Sequence, residues 1–162
     1  MQIRRATPSD AAALAAFAAE TFRDTFAAQN SPEDMEAYLA KTYGEAQQRR
    51  ELEQPRTAAL LVFDEEKLVA FAQLRATDSQ WGDVELARFY VHREHHGRGI
   101  AQALMNAVET EARALGGSVL WLGVWEHNPR AIAFYAKCGF TDAGSQPFLV
   151  GSDLQTDRVM VR

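Results

Sequence analysis

The chain has 162 residues, 47% of them aliphatic or aromatic and 24% charged, which is the composition of one globular domain, residues 1–162, and is too apolar for a disordered chain. Seventeen basic against 22 acidic residues leave a net charge of −5, which argues against a general nucleic-acid binder, whose counterion displacement needs excess Lys and Arg. No run approaches the roughly 18 apolar residues of a membrane span, the N-terminus lacks a signal-type apolar stretch, and the single cysteine, Cys138, excludes an internal disulfide framework and a Cys-rich zinc site. A reduced, cytoplasmic protein is expected.

Three segments open with a small polar residue followed by proline: Thr7-Pro8, Ser31-Pro32 and Asn128-Pro129. The polar side chain can cap free amides, and proline suits the first helical position because no hydrogen bond is lost there. Asp10 and Asp34, three residues past their caps, favour the positive helix end. Helices are therefore expected at about residues 8–28, 32–42 and 129–138, with a shorter one at about 44–53. Thr57–Asp64 and Leu68–Arg75 are apolar runs around the polar turn Asp64-Glu65-Glu66-Lys67 and read as a hairpin. Asp83–His92 is a third strand and Ser118–Val124 a fourth, the latter almost wholly apolar, as for a strand covered on both faces. Between them Ala101, Leu104, Met105, Val108, Ala112 and Leu115 keep the helical period, which Gly116-Gly117 ends. Phe140–Val150 and Arg158–Arg162 close the chain as strands. The strand–helix–strand unit in the middle can supply a parallel pair with a crossover helix, within an α/β fold.

The chemistry concentrates where the third strand runs into the long helix. From Arg88 to Arg98 lie three of the four histidines and three arginines against one acid, a positive island in an acidic chain. Free amides at a positive helix end bind anions, and Gly97 and Gly99 let the backbone approach one closely. The stretch lacks the Gly-Lys-Ser/Thr ending of a Walker A loop. It also lacks a dinucleotide fingerprint, since Gln102 stands where a third glycine belongs. Adjacent loop histidines without a carboxylate ligand set are weak evidence for metal, and none is expected. A pyrophosphate outside a nicotinamide cofactor remains.

Phe89-Tyr90-Val91 followed by His96-Gly97-Arg98-Gly99-Ile100-Ala101 at a helix start resembles motif A of the GNAT N-acetyltransferases, whose pattern is Gln/Arg-x-x-Gly-x-Gly/Ala. Gly99 and Ala101 fit, whereas His96 stands where Gln or Arg is usual. Asn128-x-x-Ala131-x-x-x-Tyr135-x-x-x-Gly139-Phe140 is similar to motif B. The segments Glu20–Phe26, Gln29–Glu33, Trp121–Glu126 and Gln155–Asp157 resemble the bacterial PaiA-type polyamine N-acetyltransferases, so the likeness covers nearly the whole chain.

The resemblance implies a GNAT fold, a mixed, mostly antiparallel twisted sheet flanked by helices with its central parallel strands splayed. It implies acetyl-CoA as donor and a small-molecule amine, spermidine or spermine, as acceptor, with homodimers common in the family. The pantetheine arm is expected along the backbone of Phe89, Tyr90 and Val91. The pyrophosphate is expected on the amides of Gly97, Arg98, Gly99, Ile100, Ala101 and Gln102, beside His96, with Arg98 adding charge. Asn128 either caps its helix or bonds to CoA, or does both. Tyr135 is the expected proton donor to the departing thiolate.

An ammonium acceptor must lose a proton before it attacks. Glu85 is the first base candidate, because strand alternation places it on a face with Ala87, Phe89 and Val91 unless a bulge intervenes. His92 is the second, its unperturbed pKa lying near neutrality. Phe22, Asp24 and Phe26, with Glu20, and Trp125 and Glu126 are expected around a cationic acceptor. Asp153 and Asp157 belong either there or to a polar turn. Cys138 reads as a packed side chain. The rival readings are a GNAT enzyme for another amine (amino acid, peptide N-terminus or antibiotic) and a non-catalytic acyl-CoA-binding sensor.

Overall fold

The computed structural model describes residues 1–162. Its elements in chain order are β1 (Gln2–Arg5), α1 (Ala11–Phe26), α2 (Pro32–Thr42), α3 (Glu45–Glu53), β2 (Thr57–Asp64), β3 (Lys67–Ala76), β4 (Val84–Val91), α4 (Ile100–Ala114), β5 (Leu120–Trp125), α5 (Pro129–Lys137), β6 (Thr141–Val150) and β7 (Asp153–Val161). The expected first helix is shorter than 8–28, because single 3-10 turns at residues 8–10 and 27–29 flank α1. The capping expectations hold at two sites: Ser31 accepts from the Asp34 amide and Asn128 from the Ala131 amide. At the first, the Asp10 carboxylate accepts the Thr7 amide at 2.8 Å and pairs with Arg4.

Two expectations about strands need correction. The short strand β1 was not anticipated, since four residues carry too little alternation to be read. The last strand begins at Asp153 rather than Arg158, because β6 and β7 form a hairpin paired from Val150↔Asp153 to Thr141↔Val161. Asp157 therefore lies within the sheet and not in a turn.

All seven strands form one sheet in the order β1-β2-β3-β4-β5-β7-β6. Only β4 and β5 are parallel, and α4 makes the crossover between them. The inner strands are apolar without alternation because helices cover both faces. On one face Leu60, Val62, Ala72 and Leu74 meet Leu104, Met105 and Val108 of α4; on the other Leu61 and Phe71 meet Leu14, Phe17 and Phe22 of α1. Burying each such Leu, Met or Phe is worth about 1.5–3 kcal/mol, so both faces hold the sheet rigid around its one irregularity.

That irregularity is the β4–β5 seam. The strands pair only at Val84↔Leu120 and Glu85↔Trp121. The Asp83 carboxylate pins this end by accepting the Ser118 and Val119 amides at 3.0 and 2.9 Å. Beyond it the β3–β4 register slips between Gln73↔Arg88 and Leu74↔Leu86, leaving Ala87 as a bulge. From there β4 and β5 diverge.

Candidate active site

A cavity of about 1010 Å³ fills the gap between β4 and β5. Its walls come from both strands, the start of α4, the inner side of α5, and aromatic residues of α1, α2 and β6. The β4 backbone supplies its polar edge. His92 N donates to Val69 O, which makes Ala70↔Val91 a non-hydrogen-bonded pair of the antiparallel ladder. By the same alternation Phe89 and Val91 turn their backbone groups away from β3, toward the gap, while those of Tyr90 are spent on Phe71. The His96 ring donates from Nε2 to the Val91 carbonyl at 2.8 Å. The unspent groups are thus the Phe89 N–H and C=O and the Val91 N–H, the start of an unpaired strand edge.

At the end of this edge the chain enters α4 through two left-handed glycines, Gly97 at φ 79° and Gly99 at φ 78°. The first intrahelical bond runs from Ala103 N to Gly99 O, and none of the amides of residues 97–102 donates to a backbone or side-chain group. Gly97, Gly99, Ile100, Ala101 and Gln102 border the cavity, so their free amides face an anion-sized space at the positive end of a fifteen-residue helix. Arg93, Arg130 and Lys137 also line the cavity. His95 borders it too, buried with its Nδ1 unpaired. Arg93 belongs to the positive island read in the sequence; Arg130 and Lys137 were not singled out there, because they lie on a helix that joins this site only in the fold. The unpaired edge, the free amides and the surrounding cations fit a pantetheine diphosphate, and the two glycines leave open space where side chains would stand.

The other end of the cavity is aromatic and acidic. Phe22 stacks on Tyr38 and meets Phe26 at a tilt, with 4.5 Å between ring centres in each pair, and Phe26 meets Trp125 edge-on at 5.7 Å. Phe22 is only 2% exposed, so it serves mainly as packing. Asp24 borders the opening from α1. Glu20, Asp24 and His92 bring one potential ligand atom each within 4.8 Å of one another, but of the three only Asp24 lines the cavity. Arg88 lies over the Tyr43 ring, bonded to Glu51 at 2.5 Å and to Gln73 at 2.6 Å. Its charge is thus already matched.

Among the expected proton carriers, Tyr135 lines the cavity beside Phe89, and burial raises its phenol above the ordinary value. Glu85 also lines it, but not on the expected face. The Ala87 bulge breaks the alternation, so Glu85 shares a face with Arg88 and Tyr90 instead of Phe89 and Val91, and its Oε1 accepts from Arg75 Nε at 2.5 Å. His92 is turned away from the cavity, its ring near Phe17 and 3.5 Å from Glu20. Arg98 is exposed and off the wall, as is Glu126, whose carboxylate lies 3.2 Å from His127. Asn128 borders the cavity while capping α5, and Cys138 sits in the core off its wall.

Asp157 is the carboxylate that the sequence left undecided. It is 7% exposed, faces the cavity, and burial pushes its pKa up to about 6. Its signal was parity: two residues before the buried Val159, it falls on that residue's side of the strand.

Residues 16–140 match the model of the acetyltransferase (GNAT) family. The chain belongs to this family and is an acetyl-CoA-dependent N-acetyltransferase. It is similar to an uncharacterized N-acetyltransferase of Mycobacterium tuberculosis, 37% identical over 154 residues that span 95% of this chain and 97% of that protein. One from the pepI 3' region of Lactobacillus delbrueckii subsp. lactis is 35% identical over 162 residues, 97% and 94% of the two chains. The fold resembles that of the PaiA N-acetyltransferase from Thermoplasma acidophilum, solved in complex with coenzyme A. The TM-score is 0.84 at 24% identity, covering 99% of this chain and 97% of that one. The expected GNAT fold, a mixed and mostly antiparallel sheet flanked by helices, is what the chain forms, with β1 as a seventh strand.

Proposed function

We propose that this enzyme acetylates a primary amine of a polyamine such as spermidine or spermine, by direct attack and without an acyl-enzyme. The observation that carries the acceptor is the polarity of the cavity. Arg93, from the loop before α4, and Arg130 and Lys137 of α5 line one part of its wall, whereas Asp24 and Asp157, neither of them ion-paired, line it from α1 between Phe22 and Phe26 and from β7 opposite Trp125. The other lining arginines, Arg75 and Arg88, are neutralised by Glu85 and Glu51. A cationic amine is therefore favoured beside the carboxylates and an anionic donor beside the unpaired cations.

In this reading the amides of residues 97–102, with Arg93, Arg130 and Lys137, hold the diphosphate of acetyl-CoA. The free groups of Phe89 and Val91 align the arm as an added strand. Acetyl-CoA supplies the thioester. A cavity carboxylate, Glu85 or Asp157, takes the ammonium proton. Tyr135, kept protonated by its burial, hands a proton to the leaving sulfur. Phe26 and Trp125 hold the amine chain, and Asn128 fixes the end of α5 beside it.

Initial rates at fixed acetyl-CoA with spermidine, spermine, a monoamine, α-amino acids and an aminoglycoside test the acceptor. The highest kcat/KM is expected for the polyamines, and turnover confined to α-amino acids rejects them. Tyr135→Phe is expected to lower kcat by about 100-fold while leaving the Kd for CoA near wild type. Full turnover in that variant removes Tyr135 from proton transfer.

A further inference from the structure

We propose that Asp157 is the base that takes the acceptor's ammonium proton, a role resting on the amine reading above. Three acids or bases were in contention, and their geometry separates them. Glu85 has one oxygen committed to Arg75, and His92 faces α1 outside the cavity. Asp24 also lines the wall without a partner but is exposed to solvent; Asp157 alone is on the wall, buried, and free of any ion-pair or hydrogen-bond partner.

Its placement is built by the sheet. Asp157 pairs with Trp125 on β5 and with Gln146 on β6, in the middle of the β5–β7–β6 ladder. A side chain at Gly123 would put its Cβ 2.9 Å from Asp157 Oδ2 and 2.9 Å from Gln146 Nε2, so the absence of a side chain there leaves room for the carboxylate. The groups facing it are Trp125 of β5, Gln146 of β6 and Tyr38 of α2, all uncharged at neutral pH. The one basic neighbour in sequence, Arg158, points to the opposite face and is paired with Asp142 at 2.7 Å. Nothing thus holds Asp157 ionised, and its pKa near 6 follows from burial alone. The same low dielectric lowers the proton affinity of an amine that enters the cavity, narrowing the gap between the two groups.

The step balances as follows. Asp157 accepts one proton from R–NH3+, freeing the nitrogen lone pair, which forms the C–N bond at the thioester carbonyl. The C–S bond breaks with its electron pair on sulfur. The second nitrogen proton replaces the one Tyr135 gives to that sulfur, and Asp157 releases its own to water.

The test is the pH dependence of kcat/KM for wild type, Asp157→Asn, Asp157→Glu and Glu85→Gln, each on spermidine, a monoamine and an α-amino acid, with CoA affinity measured by calorimetry as a check on folding. Asp157→Asn is expected to lose about 100-fold or more with CoA affinity within about twofold, and to lose the acid limb near pH 6. Asp157→Glu is expected to restore part of the rate. Gly123→Ala, which crowds the carboxylate without removing it, is expected to lower kcat more than it raises KM. An Asp157→Asn profile that keeps its acid limb with less than about fivefold loss overturns the proposal, as does loss of that limb in Glu85→Gln alone. If only the α-amino acid is acetylated, and that turnover depends on Asp157, the polyamine reading falls while the base assignment stands.

Discussion

Asp157 shows how a single buried carboxylate sets function against stability. Burial raises its folded pKa to about 6, above the ordinary carboxyl value of 3.8. Between these values the folded state holds a proton that the unfolded chain has lost. The contribution to stability is therefore complete below pH 3.8 and disappears as the pH rises through 6, a swing of up to about 3 kcal/mol. Asp157→Asn, which cannot ionise, is expected to be more stable than wild type at pH 8, with the advantage shrinking as the pH falls below 6. Thermal melts across that range check it; equal melting temperatures at pH 8 would show that the buried charge costs nothing. Tyr135 is shifted by the same cause, and for a phenol the result is a group that stays protonated and able to donate.

At the level of elements, the site depends on how α4 begins and how β4 ends. A helix start has free amides by construction, but here the two glycines turn the preceding loop so that those amides face the cavity. Gly99→Ala meets no steric neighbour within 4 Å, so its cost is conformational, about 1–2 kcal/mol for an L-residue held in the left-handed region. Weaker CoA binding with secondary structure retained is the expected result, readable by calorimetry and circular dichroism. An unchanged Kd would mean the loop geometry does not matter. The bulge at Ala87 acts on the other element: it reverses which face Glu85 occupies and lies where β4 parts from β5.

The whole molecule separates charge along one cavity. Arg93, Arg130 and Lys137 project from a loop and a helix that are about forty residues apart in sequence, and come to one site only because the loop before α4 and the helix α5 line the same cavity. Exposed charges of this kind are screened over about 10 Å at 0.1 M salt. CoA affinity is therefore expected to fall with ionic strength. The double substitution Arg130→Ala with Lys137→Ala should weaken binding several-fold and flatten that dependence; an unaltered salt slope would place the diphosphate elsewhere.

Much of this was legible in the residues alone. Helix caps at Ser31 and Asn128, the helical period from Ala101 to Leu115 and the apolar runs of the inner strands are local features, fixed by nearest neighbours along the chain, and the glycine-bearing turn marked the helix start whose free amides border the cavity. The sequence did not determine which side of a strand meets which wall. The β4 bulge, the extension of β7 back to Asp153 and the turning of His92 toward α1 depend on cross-strand register and on packing between distant segments. For that reason Glu85 changed face, and Asp157, ambiguous in the linear chain, became the buried carboxylate of the site only once β5, β6 and β7 had closed around it.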